Sequence, residues 1–189
     1  TDGGTYVYDL ELENVAYAYF VRSTAAHARI TEVNIDDAQN APGVIGVITA
    51  DQLGIGQINP GLQMVSATFA RTPLATDTVR YVGDPVVVIV AETFEQAVDA
   101  AELVYIDYDY LTTIVDPEEA LDESTEPIFP TQGNNVAFTL ADPAEDVLAD
   151  ATHVVRGRYV NQRVAGAPLE PNSAAAIYGD DGRLTFYCA

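Results

Sequence analysis

The stretch that decides the fold begins Asp84-Pro85-Val86-Val87-Val88-Ile89-Val90-Ala91-Glu92 and continues Thr93-Phe94-Glu95-Gln96. It closes on Tyr105-Ile106-Asp107-Tyr108-Asp109-Tyr110. The first part is a continuous apolar run of branched residues, which reads as a central strand buried on both faces. Pro85 stands at its start, where a missing N–H is tolerated. Thr93 and Gln96 form a capping box: the hydroxyl accepts from the N3 amide and the Gln side chain reaches back. Phe94, Ala97, Val98 and Ala101 follow the helical period, so an amphipathic helix is expected over 94–104. Residues 105–110 alternate and read as a strand, which makes the whole a βαβ-like unit of strand, three-turn helix and strand.

Working outward, strands are expected over 5–9, 14–22 and 28–35, the last with Ile30, Val33 and Ile35 on one face. Asp36-Asp37 is placed to cap a one-turn helix that stops at Pro42-Gly43. Residues 44–49 are apolar throughout and read as a fully buried strand. Residues 54–73 carry Gly54, Gly56, Pro60, Gly61 and Pro73 with no clear period, and read as a long connection. Downstream, 116–130 holds six acidic residues and three prolines, the composition of an extended linker. Asp142-Pro143-Ala144-Glu145 has the N-cap, N1 and N3 residues of a short second helix. A long strand is expected over 152–160, and a hairpin from 173–178 and 183–187 around Gly179-Asp180-Asp181-Gly182.

The chain has 189 residues and a mass of 20.3 kDa, a size for one large domain or one domain and part of another. Its apolar fraction of 48% is enough for a core. The charge is unusual: 29 acidic residues stand against eight arginines and no lysine, for a net charge of -21. Such a chain is repelled by phosphate backbones and anionic lipid, which argues against nucleic-acid and membrane partners. No apolar run reaches the roughly 18–20 residues of a membrane span. Thr1-Asp2-Gly3-Gly4 lacks the basic and apolar regions of a signal peptide, so a cytoplasmic location is expected.

Chemistry-bearing motifs are sparse. Cys188 is the only cysteine and His27 and His153 the only histidines, so neither a disulfide framework nor a multi-cysteine or His-rich metal centre is available. Cys188 itself is expected to be a small buried hydrophobe. Gly54-Ile55-Gly56 lacks the third glycine and following helix of a dinucleotide fingerprint. Ser23 and His27 are four apart without a committed carboxylate, and a structural histidine is expected. Asp107, Asp109 and Asp116 lack the spacing of a calcium loop and read as a solvated strand face. Arg22, His27 and Arg29 concentrate positive charge. They are expected to pair with carboxylates in a structural network rather than meet an acidic or phosphorylated partner. Pro168-Leu169-Glu170-Pro171 holds a carboxylate between prolines, as a site or a buried interdomain contact requires. Residue types alone do not choose between them.

The order of segments resembles the start of a molybdenum hydroxylase large subunit, the aldehyde oxidase, xanthine dehydrogenase and aerobic carbon monoxide dehydrogenase family. The resemblance is carried by Gly4-Thr5-Tyr6-Val7-Tyr8-Asp9, Phe20-Val21-Arg22-Ser23 with Ala26-His27-Ala28-Arg29-Ile30, and Ala41-Pro42-Gly43-Val44. It continues through Leu74-Ala75, Val79-Arg80-Tyr81-Val82-Gly83-Asp84-Pro85-Val86, the helix and strand over 97–108, Val115-Asp116-Pro117-Glu118, Pro168-Leu169-Glu170-Pro171 and the closing hairpin. It implies an α/β (α+β) fold: a hammerhead domain over 1–115, a linker over 116–130 and the incomplete start of a molybdopterin-binding domain over 131–189. It further implies an oxidoreductase that hydroxylates aldehydes or N-heterocycles, or oxidises carbon monoxide, with water as the oxygen source. The molybdenum–pterin centre would sit in the complete subunit, with [2Fe–2S] clusters and FAD on partner domains or subunits of a hetero-oligomer. The family's catalytic glutamate, glycine-rich pterin loop and cluster cysteines would all lie outside these residues. No catalytic, cofactor-binding or metal residue is therefore expected here, and the segment's role would be structural and interface-forming. The alternatives are a stand-alone hammerhead-fold binding or assembly module and a small hydrolase using Glu170 and His153, for which no activity is expected. The acidity reads either as a surface adapted to salt or as the bias of a GC-rich genome.

Overall fold

Both edges of the apolar run at 85–91 are taken by antiparallel neighbours, and this arrangement organises everything around it. The structure, a computed structural model, describes residues 3–140 and 150–189. Two compact units are present, Val15–Ala141 and the pair Thr1–Asn14 with Asp142–Ala189.

In the unit Val15–Ala141 the elements run β1 (Tyr17–Arg22), β2 (Ala28–Asn34), α1 (Asp36–Gln39), β3 (Val44–Thr49) and α2 (Ala50–Leu53). They continue β4 (Thr78–Val79), β5 (Pro85–Ala91), α3 (Phe94–Ala101), β6 (Tyr105–Tyr110) and α4 (Pro117–Ala120). Two three-stranded antiparallel sheets result, ordered β1-β5-β3 and β4-β2-β6. The mixed α/β class expected from the sequence is the one observed.

β5 is central, as its composition predicts: Val86, Val87, Ile89 and Ala91 are buried. Full burial of each of the larger three contributes about 1.5–3 kcal/mol. The strand–helix–strand succession is present, but it is not a βαβ unit. β1 and β3 occupy both edges of β5, so β6 finds no edge there and pairs with β2 in the other sheet. α3 thus joins two sheets instead of crossing over one. The helix is also shorter than expected. The cap is formed, with Gln96 N–H donating to Thr93 Oγ1 at 3.2 Å and Thr93 N–H to Gln96 Oε1 at 3.1 Å. At the other end Leu103 and Val104 bond back to Ala100 and Ala101, a tightened last turn that ends the helix early.

β3 is not the fully buried strand its composition suggests. It is an edge strand, and Ile45 is 61% exposed. In β2 a register shift between Ile30 and Glu32 brings Ile30 and Val33 to one side despite their odd spacing, and both pack against the core. The acidic pair lies in the first turn of α1 and does not cap it. Ile35 holds the N-cap position, and Asn34 Oδ1 accepts from Asp36 N–H at 3.1 Å. Gly43 lies just beyond at φ +74°, and a Cβ there would run into the Gln96 side chain. Small residues dominate this core: Ala25, Ala28, Ala38, Ala97 and Ala100 surround the valines, with α3 lying on β1 and β5. Asp116 accepts from Glu118 and Glu119 N–H groups at the head of α4, so part of 116–130 is locally folded.

In the other unit, residues 5–9 do not form the expected strand. Val7–Asp9 is a 3-10 turn, because Asp9 Oδ2 accepts from Tyr6 N–H at 2.9 Å and Asp9 N–H donates back to the Tyr6 carbonyl. The hairpin is present as β7 (Ala174–Tyr178) and β8 (Leu184–Cys188), its turn closed by Gly179 N–H on the Arg183 carbonyl, with Gly182 at φ +79°. Residues 152–160 form no strand. No ladder partner lies beside them among the described residues, and all of them are exposed. The helix expected to begin at Asp142 lies outside the described residues.

Candidate functional site

The end of β1 and the start of β5 are tied through their backbones. Ser23 N–H donates to the Asp84 carbonyl and Gly83 N–H to the Ser23 carbonyl, both at 2.8 Å. Ser23 and Asp84 are the buried polar residues of this unit. The Ser23 hydroxyl is spent on Ala25, accepting from its N–H at 3.0 Å and donating to its carbonyl at 2.8 Å. It does not face His27 as a nucleophile would. His27 Nδ1 lies 2.7 Å from the Thr112 carbonyl, which fastens the end of β6. Both side chains are engaged by nearby backbone groups.

The cluster of positive charge behaves differently from expectation. Arg29 does pair with a carboxylate, Asp109, at 3.4 Å, and both side chains are exposed. Arg22 instead donates to the Gly83 carbonyl at 2.9 Å and lies over Phe20. A backbone carbonyl at a strand end needs a donor when its ladder stops, and Arg22 supplies it. Asp107 accepts from Tyr108 N–H, Asp109 meets Arg29, and Asp116 caps α4, so the three aspartates serve separate local ends. Among the described residues no three His, Cys, Asp or Glu side chains gather as metal ligands.

A concave feature of this unit lies partly on the long connection over 54–73. A cavity of about 300 Å³ is lined by Gln57, Arg71, Thr78, Arg80, Phe129 and Thr131 among others. An isolated bridge between Ile58 and Arg71 ties its outer wall, and Phe69 packs edge-on against Phe129 at 4.8 Å. The Arg80 guanidinium lies 4.6 Å from the centre of the Phe129 ring, and its Nη1 donates to the Thr78 carbonyl at 3.2 Å. Its Nε is buried without a hydrogen-bond partner among the described residues. Such a donor costs about 1–3 kcal/mol while unmet. Arg71 lies over Tyr81 at 5.2 Å. Asp84 Oδ2 is already engaged by the Arg80 backbone N–H at 3.0 Å. Residue types gave one usable signal, the scarcity of positive charge, which makes each arginine informative. Nothing local announced that Phe129 returns to Arg80.

In the other unit Glu170 is half-buried, and its Oε1 accepts from Val7 N–H at 2.9 Å. Its immediate role is to hold the turn at 7–9. His153 is exposed. Cys188 is exposed too, contrary to the buried hydrophobe expected, because every residue of β8 is uncovered. Among the described residues the one displaced titration is Asp122, whose carboxyl is held below the ordinary aspartate value by hydrogen bonds from the Ser124 side chain and backbone. It lies on the surface. What these features offer chemically is anchoring and binding: no described nucleophile is paired with a base.

Residues 1–112 match the family model described as aldehyde oxidase and xanthine dehydrogenase, a/b hammerhead domain, and residues 128–189 match the molybdopterin cofactor-binding domain. The 6-hydroxypseudooxynicotine dehydrogenase complex subunit gamma of Paenarthrobacter nicotinovorans is 37% identical, over 99% of this chain and 24% of that protein. The nicotine 6-hydroxylase large subunit of the same organism is 35% identical, over 94% of this chain and 22% of its own length. Among solved structures, quinoline 2-oxidoreductase from Pseudomonas putida 86 superimposes with a TM-score of 0.83 at 31% identity, covering 98% of this chain and 24% of that one. The chain thus spans roughly a quarter of the length of the curated relatives it matches.

Proposed function

The chain belongs to the aldehyde oxidase and xanthine dehydrogenase family, and from that premise we propose that it is the N-terminal part of the molybdenum-bearing subunit of a hydroxylase. Residues 1–115 would be its hammerhead domain, 116–130 the connection and 131–189 the opening of its molybdopterin-binding domain. The observation that carries this reading is the continuous similarity to enzyme large subunits across both matched domains. When bound in the whole subunit, the molybdenum–pterin group would supply oxidation of a C–H bond with water as the oxygen source. The segment itself would act as scaffold and interface, since its described residues offer no acid–base pair.

The substrate class we propose is a nitrogen-containing aromatic ring. The support is the names of the relatives: a 6-hydroxypseudooxynicotine dehydrogenase, a nicotine hydroxylase and a quinoline oxidoreductase. Electrons would leave through [2Fe–2S] clusters and FAD on partner subunits, in a cytoplasmic hetero-oligomer. Relatives described as a complex subunit and a large subunit support that assembly. No helix among the described residues is long and apolar enough to cross a membrane. The stand-alone module draws no support from these relatives, each of which is named as an enzyme or as part of one. A net charge of -21 without lysine further supports a surface adapted to salt.

Purification of the native protein that carries this chain tests the reading. Molybdenum in metal analysis, co-purifying iron–sulfur and flavin subunits, and turnover of quinoline or nicotine in excess of xanthine are expected. A monodisperse protein without molybdenum or partners would overturn it, and turnover of xanthine or an aldehyde alone would overturn the ring assignment. For the salt reading, unfolding followed across a chloride series should show stability rising towards molar salt; equal stability at low and molar salt would reject it.

A further inference from the structure

The geometry points to a binding site for a small carboxylate in the cavity between the Ile58–Arg71 bridge and Phe129, with Arg80 as its principal ligand. In a chain with eight arginines against 29 acidic residues, two arginines line this one cavity. Elsewhere in the unit Arg29 has its aspartate and Arg22 its carbonyl, whereas neither Arg71 nor Arg80 is in an ion pair among the described residues.

Arg80 is held ready for such a ligand. Phe129 supports one face of the guanidinium, and Nη1 is committed to the Thr78 carbonyl. What remains is the edge formed by Nε and Nη2, two parallel donors that match the two oxygens of a carboxylate. Nε on that edge is the buried donor without a partner. Gln57 and Thr131 add polar groups to the wall, and Arg71 adds a second positive charge. Asp77 and Asp84 also line the cavity, and their charge disfavours a dianion. A monoanionic carboxylate on a small organic acid is therefore preferred over phosphate, and the volume of about 300 Å³ admits one.

The test uses the whole native protein carrying this chain, titrated with sodium acetate, inorganic phosphate and sodium chloride at matched ionic strength. Calorimetry and thermal unfolding are the readouts. Acetate is expected to bind and to raise the unfolding temperature above the chloride control, and phosphate to do less. Arg80→Gln should weaken acetate binding by at least about tenfold, as loss of a charge-assisted pair implies. Should that variant fail to fold, Arg71→Gln, which alters an exposed side chain, should still weaken acetate several-fold, while Arg29→Gln leaves it unchanged. Absence of an acetate effect, a phosphate effect larger than the acetate effect, or acetate binding that survives either cavity substitution would overturn the assignment.

Discussion

Val87 and Val155 both sit in stretches that the sequence reads as strands, yet Val87 is fully buried and Val155 is 95% exposed. Val87 lies in β5 with β1 on one edge and β3 on the other, under α3. Residues 152–160 have no such neighbours among the described residues, and no residue of 150–189 is buried. The difference teaches that an apolar run states a demand, and only partners on its edges and faces meet it. In Val15–Ala141 the partners are within the unit. In 150–189 the described partners stop at one hairpin.

The largest effect that would sharpen this contrast comes from truncation. Ile89→Ala, in the fully buried strand, should lower the unfolding free energy by about 2–5 kcal/mol in denaturant titrations. Val155→Ala in the same 189-residue chain should stay within about 0.5 kcal/mol. Comparable losses would break the comparison. Glycine substitutions come next. Gly43→Ala puts a side chain at positive φ and against the Gln96 cap, and should cost about 2 kcal/mol. Gly166→Ala meets open space and should be close to neutral in the same assay. Removing the cap itself, Thr93→Ala, should cost about 1 kcal/mol and raise amide exchange in the first turn of α3.

The smallest effect concerns Asp122. Its carboxyl titrates lower in the folded chain than in the unfolded one, because Ser124 bonds to the ionised form. The contribution is present above the unfolded aspartate range and is lost as pH falls through the folded value. Asp122→Asn should therefore flatten the acid limb of the stability profile slightly. An NMR midpoint for Asp122 at or above the ordinary aspartate value would reject the contact.

The sequence carried β5, the Thr93 cap, β6 and the closing hairpin because each is announced within a few residues by period, cap or turn chemistry. It misassigned β3 and the βαβ unit because burial and sheet membership depend on which edges are free, a fact settled by strands far away. Residues 5–9 read as a short strand, but a single aspartate within reach of the Tyr6 amide turned them. Asp107, Asp109 and Asp116 read as one solvated strand face, but Asp109 meets Arg29 and Asp116 caps α4, contacts that depend on residues and turns outside their own strand. The Arg80–Phe129 pair was illegible, since a guanidinium over a ring leaves no local pattern.

The sheet order also governs how this chain can emerge from a ribosome. Tyr17 is registered against Ala91 and Asn34 against Tyr105, and β3 also waits for β5. Until β5 has been made, β1 and β3 lack the strand they pair with, so their edges stay open while residues 23–84 are synthesised. Closure of the first sheet comes abruptly, once a single central strand arrives. Translation pauses before that strand would lengthen the exposed interval, and a pause between β5 and β6 would leave β2 waiting for its partner.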